Sequence, residues 1–332
     1  MKHIHGTSLP CSDIVLTIGK FEGIHLGHVA LIKDMVKRAK ELGLPSVVLA
    51  FEPHPFEVLS DADYKPLYTL NERTYLLDKV PGVDFALTYP FTKELADITP
   101  EGFCSMVFEN LRAREVFVGE NFGFGSRRSG NASFLKERAR VYGARVHVAG
   151  LMHDEGVFTG QQISTSNIRD LVIQGKLQEA RSQLGHPFFM IGETVVGRQI
   201  GRVMGFPTLN IIPPVGKFLP QNGVYSTVTT IDGVRHPSIT NIGLNPTINT
   251  TSLRTVETHV LDAPESILTQ ELYGHEILLE VTSFLRPEMK FASRDELVRQ
   301  ISLDIHKLGL QNPNGTVKID KQEPGMFDNL LF

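Results

Sequence analysis

The spacing of apolar and polar positions changes character part-way along the 332-residue chain. In the first half, short apolar runs at 14–18, 46–51, 83–88, 115–119 and 144–150 predict buried strands. Between the first two, Val29, Ile32, Val36 and Ala39 recur at spacings of three and four, which predicts one face of a helix from Gly27 to Leu42. Gly43 closes that helix, and Lys37, Arg38 and Lys40 sit in its last turns, where cations suit the helix dipole. Further helical patterns cover Asn71–Lys79, Pro100–Leu111 and Asn131–Tyr142. Strands alternating with helices predict a parallel α/β sheet covered on both faces. Such sheets bind ligands beyond the carboxyl ends of their strands, where the strand order reverses.

After about residue 186 the rhythm becomes that of short strands. Apolar stretches near 188–197, 223–231, 234–242, 255–261 and 275–285 are punctuated by Gly, Pro and Asn. One late helix follows, capped by Ser293, with Leu297, Ile301 and Ile305 on one face. This predicts a small, mainly β barrel with a C-terminal helix. The expected boundaries are 1–186 and 187–310, with 311–332, rich in polar residues, Gly and Pro, as an extension.

Composition narrows the function classes. Apolar content of 41% and charged content of 21% are those of an ordinary globular protein. No apolar run approaches the ~20 residues that cross a bilayer, and the N-terminus lacks the pattern of a signal peptide. Cys11 and Cys104 lie far apart and match no metal-ligand spacing, which suits a reducing cytoplasm. Residues 1–186 carry 21 basic and 22 acidic side chains, and residues 187–332 carry 12 and 15. Neither half predicts nucleic-acid binding, which needs clustered Lys and Arg. No membrane partner is expected either, and the chain is expected to be a monomer or a weak homo-oligomer.

The first strand–helix junction reads Gly19-Lys20-Phe21-Glu22-Gly23-Ile24-His25-Leu26-Gly27-His28. Gly19, Gly23 and Gly27 let backbone approach a ligand closely, and the start of the helix offers free N–H groups to an anion. His25 and His28 stand together there as donors to phosphate oxygens. Neither a Walker loop nor a dinucleotide fingerprint fits, and no third zinc ligand lies at suitable spacing. An arbitrary pair of histidines would more often be plain surface residues; the strand–turn–helix context favours a nucleotide.

This segment resembles the signature of nucleotidylyltransferases, specifically of the bacterial bifunctional riboflavin kinase/FMN adenylyltransferase family. Phe51-Glu52-Pro53-His54-Pro55, Val118 to Gly125 and Ile163-Ser164-Thr165-Ser166-Asn167-Ile168-Arg169 match its further motifs in order. The resemblance implies a Rossmann-like nucleotidylyltransferase domain in which FMN attacks the α-phosphorus of ATP and pyrophosphate leaves. It assigns the ATP phosphates to His25 and His28, with Gly19, Phe21, Gly23 and Gly27 in the nucleotide loop. Ser164, Thr165 and Arg169 would bind phosphate, and Asn121 would help place the reacting group. Pro53, His54, Pro55, Phe122 and Phe124 would line the flavin and nucleotide pockets. For the serine and threonine, helix capping is an equally simple role, and for the phenylalanines core packing is.

In the second half, Gly205-Phe206-Pro207-Thr208-Leu209-Asn210 follows Gly197-Arg198-Gln199-Ile200-Gly201-Arg202. Thr208 and Asn210, two apart on an extended segment, point to one side and can reach one Mg²⁺ or its waters. Downstream, Thr255, Glu257 and His259 share one strand face, and Val256, Thr258 and Val260 the other. A carboxylate there can accept the proton of a substrate hydroxyl, although a strand glutamate is more often merely solvated. These segments resemble the riboflavin kinase module, which implies a six-stranded flavokinase barrel. By that resemblance Gly201, Arg202, Gly205, Thr208 and Asn210 serve Mg-ATP, and Glu257 deprotonates riboflavin. Departures from the usual motifs are Leu209 for alanine, Ile200 for a basic residue, Glu22 for aspartate, Gly123 for arginine, and the order Thr165-Ser166. The leading expectation is a bifunctional enzyme making FMN and then FAD. Its rivals are an adenylyltransferase with a weak kinase module and a flavin-responsive binding protein.

Overall fold

The computed structural model describes residues 1–308 apart from 12, 61–62, 153–161, 197–205, 245–253, 262–271 and 273. Two compact units result, one of Met1–Thr165 and one from Ser166 onward. In chain order the first holds β1 (Lys2–His5), β2 (Ile14–Gly19), α1 (Leu26–Leu42), β3 (Ser46–Glu52), α2 (Pro55–Leu59), α3 (Leu70–Asp78), β4 (Phe85–Pro90), α4 (Lys93–Ala96) and α5 (Pro100–Ser105). It continues with β5 (Ala113–Gly119), the short strands β6 (Gly123–Phe124) and β7 (Gly130–Asn131), α6 (Ala132–Ala139) and β8 (Arg145–Ala149).

Six of these strands form a parallel sheet in the order β1-β4-β3-β2-β5-β8. Successive connections run from β2 through β3 to β4, and the chain then returns to the other side of β2 with β5. The order therefore reverses at β2, and a crevice opens beyond the carboxyl ends of β2 and β5. Central strand β2 is buried along Ile14–Ile18, as a strand covered on both faces must be. Its one polar residue there, Thr17, satisfies its hydroxyl by donating to the Phe117 carbonyl of β5 at 3.0 Å. Helix α1 buries Val29, Ile32, Met35, Val36 and Ala39, so the predicted face is the packed face. The valine, isoleucine and methionine side chains each contribute roughly 1.5–3 kcal/mol when fully buried. A forked pair from Arg38 to Glu115, both contacts at 2.8 Å, also ties α1 to β5.

Two elements differ from the sequence pattern. The stretch predicted as one helix from Pro100 to Leu111 is α5 followed by a π-helical turn at Met106–Asn110, where Leu111 N–H reaches the Met106 carbonyl. Strand β1 carries no apolar run, and it forms because Lys2–His5 completes the sheet beside β4.

The second unit opens with α7 (Thr165–Ile173) and α8 (Leu177–Leu184). Strands β9 (Phe188–Val195), β10 (Thr208–Ile212), β11 (Gly223–Ile231), β12 (Val234–Leu244), β13 (Arg254–Val260) and β14 (Glu276–Arg286) precede a final helix α9 (Arg294–Lys307). The six strands close into a barrel in the order β10-β13-β12-β11-β14-β9, every neighbour antiparallel. The predicted mainly β barrel with a terminal helix is the fold observed. Helix α8 packs on β9 and β14.

Inside the barrel Thr229, Ser238, Thr227, Thr240 and Thr258 join hydroxyl to hydroxyl across three strands, with contacts of 2.7–2.9 Å. On α9 the deepest residue is Asp304 rather than an apolar one. Its carboxylate accepts from Arg286 Nε at 2.9 Å and Gln300 Nε2 at 3.0 Å. Removing one partner of a buried pair strands the other's charge. Asp304→Ala is accordingly expected to cost about 3 kcal/mol, read as a lowered melting transition.

Candidate functional site

At the sheet's reversal point the segment after β2 turns sharply before α1 begins. Phe21 and Ile24 are fully buried non-glycine residues with left-handed φ values of 45° and 43°. Phe21 folds back over Gly19, where an added Cβ would stand 3.0 Å from the ring. A side chain at 19 would press on that ring, so glycine suits this turn. His25 caps α1, its Nδ1 accepting from the His28 N–H at 3.3 Å. The two imidazoles stack with centroids 3.7 Å apart and planes 16° from parallel. Phe21 meets His28 edge-on at 5.1 Å. His28 Nδ1 is sealed from solvent and has no hydrogen-bond partner among the described residues. Burial, and then the neighbouring His25, push the His28 pKa well below its ordinary value.

The motif's acidic residue serves as an anchor. Buried Glu22 accepts from the Leu67 N–H at 2.7 Å and the Tyr64 hydroxyl at 2.6 Å, and lies 3.6 Å from His54 Nε2. His54 is itself buried, caps α2 by accepting from the Phe56 N–H at 3.3 Å, and stacks on Tyr64 at 4.7 Å. Pro55 occupies the first turn of α2, while Pro53 is exposed. Arg73, from α3, donates to the carbonyls of Lys20 and Phe51 at 3.3 Å each and pairs with Glu52. These ties hold the ends of β2 and β3 in register around the histidine pair.

Beyond β5, Asn121 is exposed and its carbonyl accepts from Arg128 Nη2 at 3.1 Å. Phe124 is buried and stacked on Phe103 at 4.5 Å, so packing takes up its ring. Phe122 is only partly buried, 5.5 Å from Phe124. Half-buried Ser164 and Thr165 stand where α7 starts, and Arg169, one turn on, lies 4.3 Å over the Phe218 ring.

In the barrel, Asn210 pairs with Glu257 and Thr208 with His259 across β10 and β13. Paired residues share a face, so all four side chains line the outside of the barrel. Val256, Thr258 and Val260 are buried on the inner face, and Glu257 is exposed. On its other flank Glu257 pairs with Asn241 of β12. His259 Nδ1 lies 2.9 Å from the Pro207 carbonyl, which can only accept, so that nitrogen carries the proton. Burial lowers the His259 pKa, with the Pro207 bond opposing, and the neutral ring pins the residue before Thr208. Gly201, Arg202 and Gly205 lie outside the described residues.

Residues 10–166 match the family model described as FAD synthetase, and residues 184–309 the one described as riboflavin kinase. An Escherichia coli K12 bifunctional riboflavin kinase/FMN adenylyltransferase is 34% identical over 309 residues, covering 92% of this chain and 95% of the relative. The chain belongs to the bifunctional riboflavin kinase/FMN adenylyltransferase family. A Listeria monocytogenes member is 32% identical over 292 residues, covering 87% of this chain and 90% of its own. A crystal structure of a Streptococcus pneumoniae protein described as a macrolide-efflux protein superposes with a TM-score of 0.82 at 26% identity. It covers 94% of this chain and 100% of its own. Among the described residues, no helix of this family member is long and apolar enough to cross a membrane.

In this member of the riboflavin kinase/FMN adenylyltransferase family, several residues that shape the segments after β2 and β5 carry no local sequence signal. Arg73 and Tyr64 reach the first loop from about 40–50 residues away, and Arg128 acts through a space left by Gly123. Among the motif departures, Leu209 is simply a buried barrel residue opposite Thr258.

His28 supplies a pH signature. With its pKa lowered by burial, the ring is neutral near pH 7 in the free protein. Phosphate oxygens brought against it would favour the charged form, so a bound pKa would exceed the free one. A phosphate ligand bound there would take up a proton between those two values, and its affinity would rise as pH falls. Calorimetric titration at about pH 6.5 in buffers of different ionisation enthalpy is expected to show more uptake for the native protein than for His28→Asn.

Proposed function

We propose that this chain phosphorylates riboflavin to FMN and adenylylates FMN to FAD, each step at its own site and each using Mg-ATP. The observation that carries the reading is the presence of two separate and differently built polar sets in one chain. One is the stacked His25/His28 pair at the sheet's reversal point, and the other is the in-register Thr208, Asn210 and Glu257 on the barrel.

In the first site an FMN phosphate oxygen bonds to the α-phosphorus of ATP as the bond to the pyrophosphate oxygen breaks. The attacking group is already an anion, so catalysis rests on positioning and charge stabilisation. His25 and His28 face the ATP phosphates, Ser164, Thr165 and Arg169 take phosphate oxygens, and Asn121 helps place the reacting group. Gly19, Phe21, Gly23 and Gly27 shape the nucleotide loop. Pro53, His54, Pro55, Phe122 and Phe124 border the flavin and nucleotide pockets, His54 and Phe124 from buried positions and Phe122 with its partly open ring.

In the second site the riboflavin 5′-hydroxyl oxygen attacks the γ-phosphorus, Glu257 takes the hydroxyl proton, and ADP leaves. Thr208 and Asn210 offer hard oxygen donors on one strand face, which suits Mg²⁺. No group of three or more His, Cys, Asp or Glu among the described residues could hold a metal ion, so such a metal would rely on these neutral oxygens, waters and substrate phosphates. When bound, Mg²⁺ neutralises charge on the transferring phosphates. Gly201, Arg202 and Gly205 would complete the ATP loop.

The adenylyltransferase module would occupy 1–186 and the kinase module 187–310, with 311–332 as an extension. The proposed setting is the cytoplasm, with a monomer or weak homo-oligomer and no nucleic-acid or membrane partner. Incubation with Mg-ATP and either riboflavin or FMN, followed by separation of the flavins, tests the reading. FMN and FAD are expected from riboflavin, and FAD from FMN. FAD formed only from FMN would refute the kinase assignment.

A further inference from the structure

Two cations, Lys20 and Arg128, stand beyond the carboxyl ends of the neighbouring strands β2 and β5; neither forms an ion pair among the described residues, and the Glu22 carboxylate acts on Lys20 from a distance. Lys20 directly follows β2 and is half-buried, with its Nζ 4.0 Å over the Phe56 ring. Arg128 lies beyond β5, in the turn between β6 and β7, and donates through Nη2 to the Asn121 carbonyl at 3.1 Å. The guanidinium fills the space a side chain at Gly123 would need: an added Cβ there would stand 2.8 Å from Nη2 and 2.9 Å from Cζ. Arg127 and Arg128 hold consecutive left-handed φ values of 53° and 58°, a backbone state that non-glycine residues avoid and that gathers at ligand sites. The Lys20 pKa is lowered, first by burial and then by the charge of Arg128, with Glu22 opposing.

The charge of Arg128 acts on Lys20, and the opposing carboxylate of Glu22 is already engaged by Tyr64 and Leu67, so an anion lying against both cations is favourable. Histidines 25 and 28 stand on the helix side of the same junction and are already given to the ATP phosphates. Arg128 instead grips the backbone of Asn121, the residue given to the attacking group. We infer that Lys20 and Arg128 bind the phosphate monoester of the flavin substrate and aim its oxygen at the nucleotide, with Gly123 present to admit the Arg128 head. The inference rests on the adenylyltransferase reading above. Lys20 and Arg128 are positioning residues on the acceptor side: they orient a phosphate dianion that FAD synthesis consumes, whereas riboflavin, lacking that phosphate, gains nothing from them.

Steady-state FAD synthesis from FMN and Mg-ATP tests the assignment in three variants. Arg128→Gln and Lys20→Met each remove one charge. Gly123→Ala displaces the guanidinium, a movable side-chain end, without changing any charge. Each is expected to raise KM for FMN by about tenfold, the scale of one charge-assisted hydrogen bond, and to leave KM for ATP within about twofold. Arg128→Lys is expected to restore part of the loss. A rise in KM for ATP in place of FMN would assign the pair to the nucleotide, and unchanged KM for FMN in all three variants would leave the pair without this role; either overturns the inference. Riboflavin phosphorylation and the thermal melt serve as controls for folding in the same molecule. If Arg128→Gln fails them, Lys20→Met and Gly123→Ala decide. Native protein that makes no FAD from FMN refutes the adenylyltransferase reading itself, whereas native FAD synthesis with unshifted variants refutes only this inference.

Discussion

Replacing His28 by alanine is expected to lower FMN adenylylation by about 10²–10³-fold, the usual loss when one preorganised donor to a charged transition state is removed. Riboflavin phosphorylation should continue in the same preparation. The size of the effect follows from the ring's surroundings. His28 is held by stacking on His25 at 3.7 Å and by the edge of Phe21, so it need not reorganise as charge develops on the phosphates. Its neutral state in the free protein leaves it able to gain charge when substrate arrives. Alanine removes the donor and also the support for the His25 ring. His28→Asn restores a donor of smaller size, and its activity should fall between the two. Flavin separation after a fixed interval measures both reactions at once. A loss below about tenfold would show that the imidazole is not a transition-state donor.

The complementary change, Glu257→Gln, is expected to lower riboflavin phosphorylation by about 10²–10⁴-fold while FAD is still made from FMN. Glutamine keeps the size and one oxygen but cannot accept the hydroxyl proton as a carboxylate does. Because Thr208 and Asn210 remain on the same barrel face, KM for ATP should change little and the loss should fall on kcat. An equal effect of both substitutions on both reactions would sink the assignment of one site to each module.

Much of this site is legible in the residues alone because its chemistry sits at element ends. The strand–glycine–histidine–helix order at 14–28 predicts an anion site without any tertiary information. The period-2 pattern of β13 assigns Glu257 to the outer face, where the burial puts it. Other features depend on distant contacts. Lys2–His5 is a strand only through its pairing with β4. Strand β10 hides because only Leu209 and Ile211 turn inward, giving no apolar run. Glu22 reads only as the acidic residue of a motif, and the anchors it accepts from, Leu67 and Tyr64, lie more than 40 residues away. The role of Arg128 is legible only from the emptiness of Gly123, which a sequence expresses as an absence.

The hydroxyl chain inside the barrel bears on how the barrel responds to temperature. Unfolding of either unit exposes buried apolar side chains, which raises the heat capacity. In the barrel, Thr227, Thr229, Ser238, Thr240 and Thr258 place polar atoms in the interior and bond them to one another. Exposing polar surface reduces the heat capacity of unfolding. The five hydroxyls therefore flatten the barrel's stability curve relative to the same barrel with apolar residues in their places, so that it changes less with temperature on either side of its maximum.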